Sequence, residues 1–228
     1  MIPYTLVRSD RKTLSMQIGK DGTLIVRAPK RCSKAYIEEF VRKHEVWAIK
    51  NQARMQEIIA ERQEYRLREG EQIPFCGNML TVHLTSEMQA VLDTENKTLT
   101  LPDLPVVELK DSLYRLYKKA GRQWLQGRLD YWSKVMNIPY SAMKIGSATK
   151  RWGSCTREGN INLSWLNFFA PLEVVDYLLV HELSHRVHFD HSPAFWGLVA
   201  RYLPDYKLRK KLLNSVYREL LAQGWAVK

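Results

Sequence analysis

At 228 residues, with 45% hydrophobic and 26% charged residues, the chain has a globular balance and room for one large domain or two small ones. No stretch approaches the ~20 consecutive apolar residues of a membrane span, and the opening Met1 to Arg8 has no basic-then-apolar leader pattern, so a cytoplasmic protein is expected. Three scattered cysteines exclude a cysteine-built zinc ribbon, and 35 Lys and Arg against 24 Asp and Glu give a net charge of +11 that favours anionic partners.

The first elements read as short strands. Thr13 to Ile18 alternates, Lys20-Asp21-Gly22-Thr23 carries a D-G turn signal, Leu24-Ile25-Val26 resumes, and Pro29 ends the pattern. Ser33 is placed to cap one long helix from Lys34 to about Arg68, with Ile37, Phe40, Val41, His44, Trp47 and Ala48 on its apolar stripe. Gly70 to Pro74 breaks the chain. Phe75 to Thr85 and Gln89 to Leu101 read as further strands, with turns expected at Asn78 and at Glu95-Asn96-Lys97. Pro102 and Pro105 flank a short polar stretch, the expected boundary between a β-rich domain (1–104) and a second domain (105–228). The second opens with a long helix, Val106 to Met136, in which Gly121 and Gly127 are weak points.

Met143 to Thr156, the turn Arg157-Glu158-Gly159-Asn160 and Ile161 to Trp165 read as a β-hairpin leading directly into an apolar helix that opens at Pro171. That helix carries His181-Glu182-Leu183-Ser184-His185, an H-E-x-x-H signature. The i, i+4 spacing puts both imidazoles on one helix face, close enough to grip one zinc ion. Glu182, about 100° round the helix from His181, flanks the metal without ligating it and suits a general base. Asp190-His191-Ser192-Pro193 breaks the helix: Ser192 is a good cap and Pro193 a good first residue for a new helix, Ala194 to Tyr202. The break favours His191 as third ligand; on a continuous helix, His188 would take that place. A basic amphipathic helix is expected from Asp205 to Val227.

The positive excess gathers at Arg8, Arg11, Lys12, Lys20, Arg27, Lys30 and Arg31, then at Lys144, Lys150, Arg151 and Arg157, then at Arg201, Lys207, Arg209, Lys210 and Lys211. The second group lies just upstream of the metal helix. Lys150, Arg151, Trp152, Gly153 and Arg157 are therefore candidate substrate contacts, Gly153 because a bare backbone permits close approach. Tyr202 and Tyr206, beyond the third histidine, are candidate oxyanion donors, with packing as their alternative role.

Lys150 to Cys155, Ile161-Asn162-Leu163, Ala170-Pro171, Val174 to Tyr177, the H-E-x-x-H run, His191-Ser192, Phe195-Trp196 and Pro204-Asp205-Tyr206 together resemble the YgjP-like metallopeptidases, relatives of the SprT-like group. Arg8 to Lys12 and Gly22 to Pro29 are similar to that family's N-terminal region, so the likeness spans nearly the whole chain. It implies an α+β protein with a zincin-like catalytic domain, zinc held by His181, His185 and His191, and Glu182 as base. Ser164 stands where these proteins often carry Asn.

Three functions follow as expectations. The first is zinc-dependent hydrolysis of a peptide bond, with one ion per chain and other divalent metals as alternatives. The second is a metal-dependent nucleotide phosphohydrolase drawn by Lys150, Arg151 and Arg157, although the chain has no G-x-x-x-x-G-K-[ST] loop. The third is a basic nucleic-acid-associated module of nonspecific affinity.

Overall fold

Alternation of apolar residues makes the first sheet. β1 (Thr5–Ser9), β2 (Ser15–Ile18) and β3 (Leu24–Pro29) pair in the order β1-β3-β2, with β3 parallel to β1 and antiparallel to β2. Leu24, Val26 and Ala28 of the central strand are buried beneath Ile37, Val41 and Ala48, so a period of two faces a period near four across a small core. The D-G turn forms: Gly22 has φ +79°, and Asp21 Oδ1 accepts from the Thr23 amide and hydroxyl. The expected single helix is two, α1 (Lys34–Lys43) and α2 (Glu45–Glu64). They part at His44, whose φ of −112° leaves the helical region and whose Nδ1 lies 2.8 Å from the Phe40 carbonyl oxygen. Trp47, expected on the buried stripe, is exposed.

This computed structural model describes residues 2–19 and 21–226; Lys20 of the turn and of the first basic group, and Val227 of the expected tail helix, lie outside the described residues. The chain divides into two compact units, Met1–Glu64 and Tyr65–Lys228. Pro102 and Pro105 fall inside the second. There Pro102 closes a strand, Pro105 caps a helix, and the Val106 amide donates to the Tyr65 carbonyl.

In the second unit β4 (Gln72–Phe75), β5 (Asn78–Thr85), β6 (Val91–Asp93) and β7 (Thr98–Pro102) form a sheet in the order β4-β5-β7-β6, parallel only between β5 and β7. Its first hairpin turns on Cys76 and Gly77, both at positive φ, so Asn78 opens β5 instead of making the turn. α3 (Val106–Met136) has the expected bounds and is stopped by Asn137 in the left-handed region. Neither glycine breaks it. Gly121 instead lets Phe168 come so close that a Cβ there would sit 2.4 Å from its ring.

A third sheet, order β8-β10-β9, joins β8 (Ala142–Gly146), β9 (Gly153–Cys155) and β10 (Asn160–Ser164). β9 and β10 are the expected hairpin, while β8 adds a parallel pairing on the far side of β10. A 3-10 turn, Trp165–Phe169, separates the hairpin from α4 (Leu172–Ser184), so the connection is not direct. α5 (Pro193–Tyr202) and α6 (Tyr206–Ala222) complete a mixed α+β protein. Tyr117 of α3 packs against Phe75, Phe168 and Phe169, and Arg128 makes a two-pronged bond to Asp176 at 2.6–3.0 Å, locking α3 to α4. Among the described residues no helix is long and apolar enough to cross a membrane.

Candidate metal centre

α4 is buried almost throughout because Val174 to Val180 is apolar on every face except at Asp176, which Arg128 neutralises. At the end of this buried helix His181 and His185 are half-buried, with Glu182, Leu183 and Ser184 buried between them. The last turn stops at Ser184, whose hydroxyl donates to the Val180 carbonyl, and His185 caps it. The chain then reverses. Asp190 Oδ1 accepts from the Ser192 amide, and Ser192 Oγ accepts from the Phe195 amide and starts α5.

The reversal returns His191 to the helix. Its Nε2 lies 3.2 Å from His181 Nε2, and one ring nitrogen from each of His181, His185 and His191 falls within 4.8 Å of the others. His188 serves differently: its carbonyl oxygen lies 3.0 Å from His185 Nδ1. A carbonyl can only accept, so the His185 proton sits on Nδ1 and Nε2 keeps its lone pair. The Phe195 ring contacts all three imidazoles, with centroids 4.6–4.9 Å away, and is fully buried beneath them.

Burial favours neutral imidazoles here. It lowers the His181 pKa to about 3, assisted by the neighbouring charges of His185, His191 and Lys210, and it lowers His185 as well. Neutral rings are the form that ligates a metal. Glu182 is 4% exposed, and burial pushes its carboxyl up to about 8. Glu182 Oε2 and His181 Nδ1 are buried with no hydrogen-bond partner among the described residues. Three convergent imidazole nitrogens beside a buried carboxyl fit a borderline divalent cation such as zinc, whose charge would compensate that carboxylate.

Gly153 touches the site through its lack of a side chain. A Cβ there would fall 2.5 Å from Glu182 Oε1 and within 2.9 Å of its Cδ and Cγ. The close approach is that of the Glu182 carboxyl itself. Trp152, just before it, packs its ring 6.4 Å from that of Tyr217 on α6 and presents its carbonyl to Asn167 Nδ2 and the Ser164 amide. The Arg157 guanidinium lies over the ring of Phe189 in the loop that carries His191. Lys150 and Arg151 are exposed, and no described contact sets them against the triad. Tyr202 is turned away, its hydroxyl donating to the Met136 carbonyl at the end of α3. Tyr206 stays close: it stacks on Trp196, centroids 5.2 Å apart, and Trp196 lies 5.6 Å from the His191 ring. Residue order alone gives Phe195, Trp196 and Lys210 no role at the site, because only the reversal at 190–192 swings α5 and α6 over the histidines.

A family model described as YgjP-like, metallopeptidase domain matches residues 12–216. No curated protein matches the chain. Among solved structures, the metallopeptidase zymogen of Pyrococcus abyssi abylysin matches with 20% identity and a TM-score of 0.38 over 42% of this chain and 95% of the other.

Proposed function

The chain belongs to the YgjP-like family and carries its metallopeptidase domain, and on that footing we propose that it is a zinc-dependent hydrolase of peptide bonds working through His181, His185, His191 and Glu182. The observation that carries the reading is the convergence of three imidazole nitrogens within 4.8 Å beside a buried carboxyl. Three protein ligands leave a fourth position open, the mark of catalytic over structural zinc sites. Bound zinc would supply a Lewis acid that acidifies water towards a pKa of about 7 and polarises a carbonyl. Glu182 takes the proton that attacking water must lose and returns it to the departing amine. β9 is paired only with β10 among the described residues, so its other edge suits an extended peptide held by backbone hydrogen bonds, which brings a scissile bond past Gly153 and Glu182. Tyr206, stacked beside the triad, remains the better placed of the two oxyanion candidates.

Metal analysis of the purified chain, then hydrolysis assays on an unstructured protein and on nucleoside triphosphates, tests this. One zinc per chain is expected, with proteolysis abolished by a chelator and restored by zinc. Glu182→Gln should keep the zinc and lose at least about hundredfold in kcat. Phosphate release without proteolysis, or full proteolysis by that variant, would refute the assignment.

A further inference from the structure

α6 turns one face towards the metal centre. Tyr206 and Lys210, four residues apart, both rest on Trp196: the Tyr206 ring stacks at 5.2 Å and 17°, and Lys210 Nζ lies 4.9 Å from the indole centroid. The indole in turn lies 5.6 Å from the His191 ring and 5.8 Å from that of His181. One aromatic ring thus separates the ammonium from two of the metal ligands.

The neighbouring cation on α6 is occupied. Arg209 bonds both carboxylate oxygens of Asp205 and the Glu173 carbonyl. Lys210 is exposed, and no described carboxylate lies within ion-pair distance of it. A cation set without a counter-charge beside a site built for a dication weakens metal binding by like-charge repulsion. That arrangement becomes favourable when an anion bridges the region, and a low-dielectric aromatic wall strengthens the attraction. Lysine acts as a flexible point charge, which suits a single carboxylate presented from a mobile chain.

Resting on the peptidase reading, we propose that Lys210 is a specificity-determining residue that binds a carboxylate of the peptide substrate close to the scissile bond. The group is either an acidic side chain or a free C-terminal carboxylate, and Trp196 with Tyr206 forms the wall against which the Lys210 ammonium is held.

The test is equilibrium binding of labelled peptides to the zinc-loaded Glu182→Gln chain, which binds without turnover. One peptide pair ends in a carboxylate or an amide; a second series carries Glu or Gln at successive positions. The carboxylate form that reaches Lys210 should bind about tenfold tighter than its neutral twin, the worth of a hydrogen bond to a charged group. Adding Lys210→Met should collapse that ratio to one, and Lys210→Glu should invert it, with zinc content equal in all three proteins. The pair that responds tells a terminal carboxylate from a side chain. An acid-to-neutral ratio that is absent, or unchanged by both substitutions, overturns the proposal. Failure of the zinc-loaded wild-type chain to cleave any of these peptides, with the Lys210-dependent ratio intact, would support this subsite and overturn the peptidase reading instead.

Discussion

Glu182 and Gly153 form a fitted pair, one residue supplying a carboxyl and the other withholding a side chain so that the carboxyl has somewhere to lie. Glu182 is almost fully buried, so it has little freedom to retreat from an intruding methyl group. Gly153→Ala therefore displaces the proposed base by around an ångström, an error of the size that costs about a hundredfold in rate. The expected result is a kcat about a hundredfold lower, with zinc content retained and a stability loss of about 1–3 kcal/mol from overpacking. Steady-state kinetics with metal analysis checks it, and unchanged kcat would show that the carboxyl position is unimportant. The need for a small residue at 153 was legible in the sequence, but its cause was not. The hairpin signal gave Gly153 a strand and a reason to be bare. Only the packing of β9 against α4 shows that the close neighbour is residue 182.

α3 packs against α4, the helix that carries His181 and Glu182, and its two glycines separate propensity from packing. Alanine is the better helix former by about 0.8–1 kcal/mol, so both positions invite replacement. Gly127 is exposed, with nothing within 4 Å of the point a Cβ would occupy, and Gly127→Ala should stabilise by about 0.5–1 kcal/mol. At Gly121 a Cβ would meet Phe168 ring carbons at 2.4 and 2.7 Å and Cys76 Sγ at 3.0 Å. Phe168 is fully buried between Phe75 and Tyr117 and cannot step aside, so Gly121→Ala should destabilise by about 1–3 kcal/mol despite the helix gain. Urea midpoints of the two variants should move in opposite directions; a shared direction would refute the packing argument. Elements with strong local signals, such as α3 and the Ser192-Pro193 start of α5, could be read directly from residue order. The break between α1 and α2 could not, because it rests on a side chain competing for the Phe40 carbonyl in a stretch whose apolar period runs straight through. The parallel pairing of β8 with β10 was equally hidden, since a pairing between strands that are not neighbours in the chain leaves no mark on either strand's own pattern.

At the scale of the whole molecule, the buried groups of the candidate metal centre contribute to how stability responds to pH. In the metal-free protein burial holds His181 at about 3, against 6.5 when unfolded, and Glu182 at about 8, against 4.5. Between pH 3 and 4.5 the unfolded chain carries the extra proton, on His181, so stability rises with pH. Between 4.5 and 6.5 the His181 and Glu182 differences cancel, and the lowered His185 leaves the unfolded chain with the extra proton as pH approaches 6.5, so stability still rises. Between 6.5 and 8 only the Glu182 difference remains: the folded state binds the extra proton, so stability falls as pH rises. Thermal melts of the chelator-treated chain should therefore reach a maximum near pH 6.5 and decline towards pH 8, and Glu182→Gln should remove the decline because its amide has no proton to lose. Zinc should remove it too. A dication beside Glu182 favours the ionised carboxylate, and its affinity for imidazole grows as protons leave, so the gap between loaded and metal-free melting temperatures should widen from pH 6.5 to 8. Metal-free melting temperatures that stay level or rise across that interval, or a Glu182→Gln protein that declines as steeply as wild type, would show that Glu182 is not the buried acid of this centre.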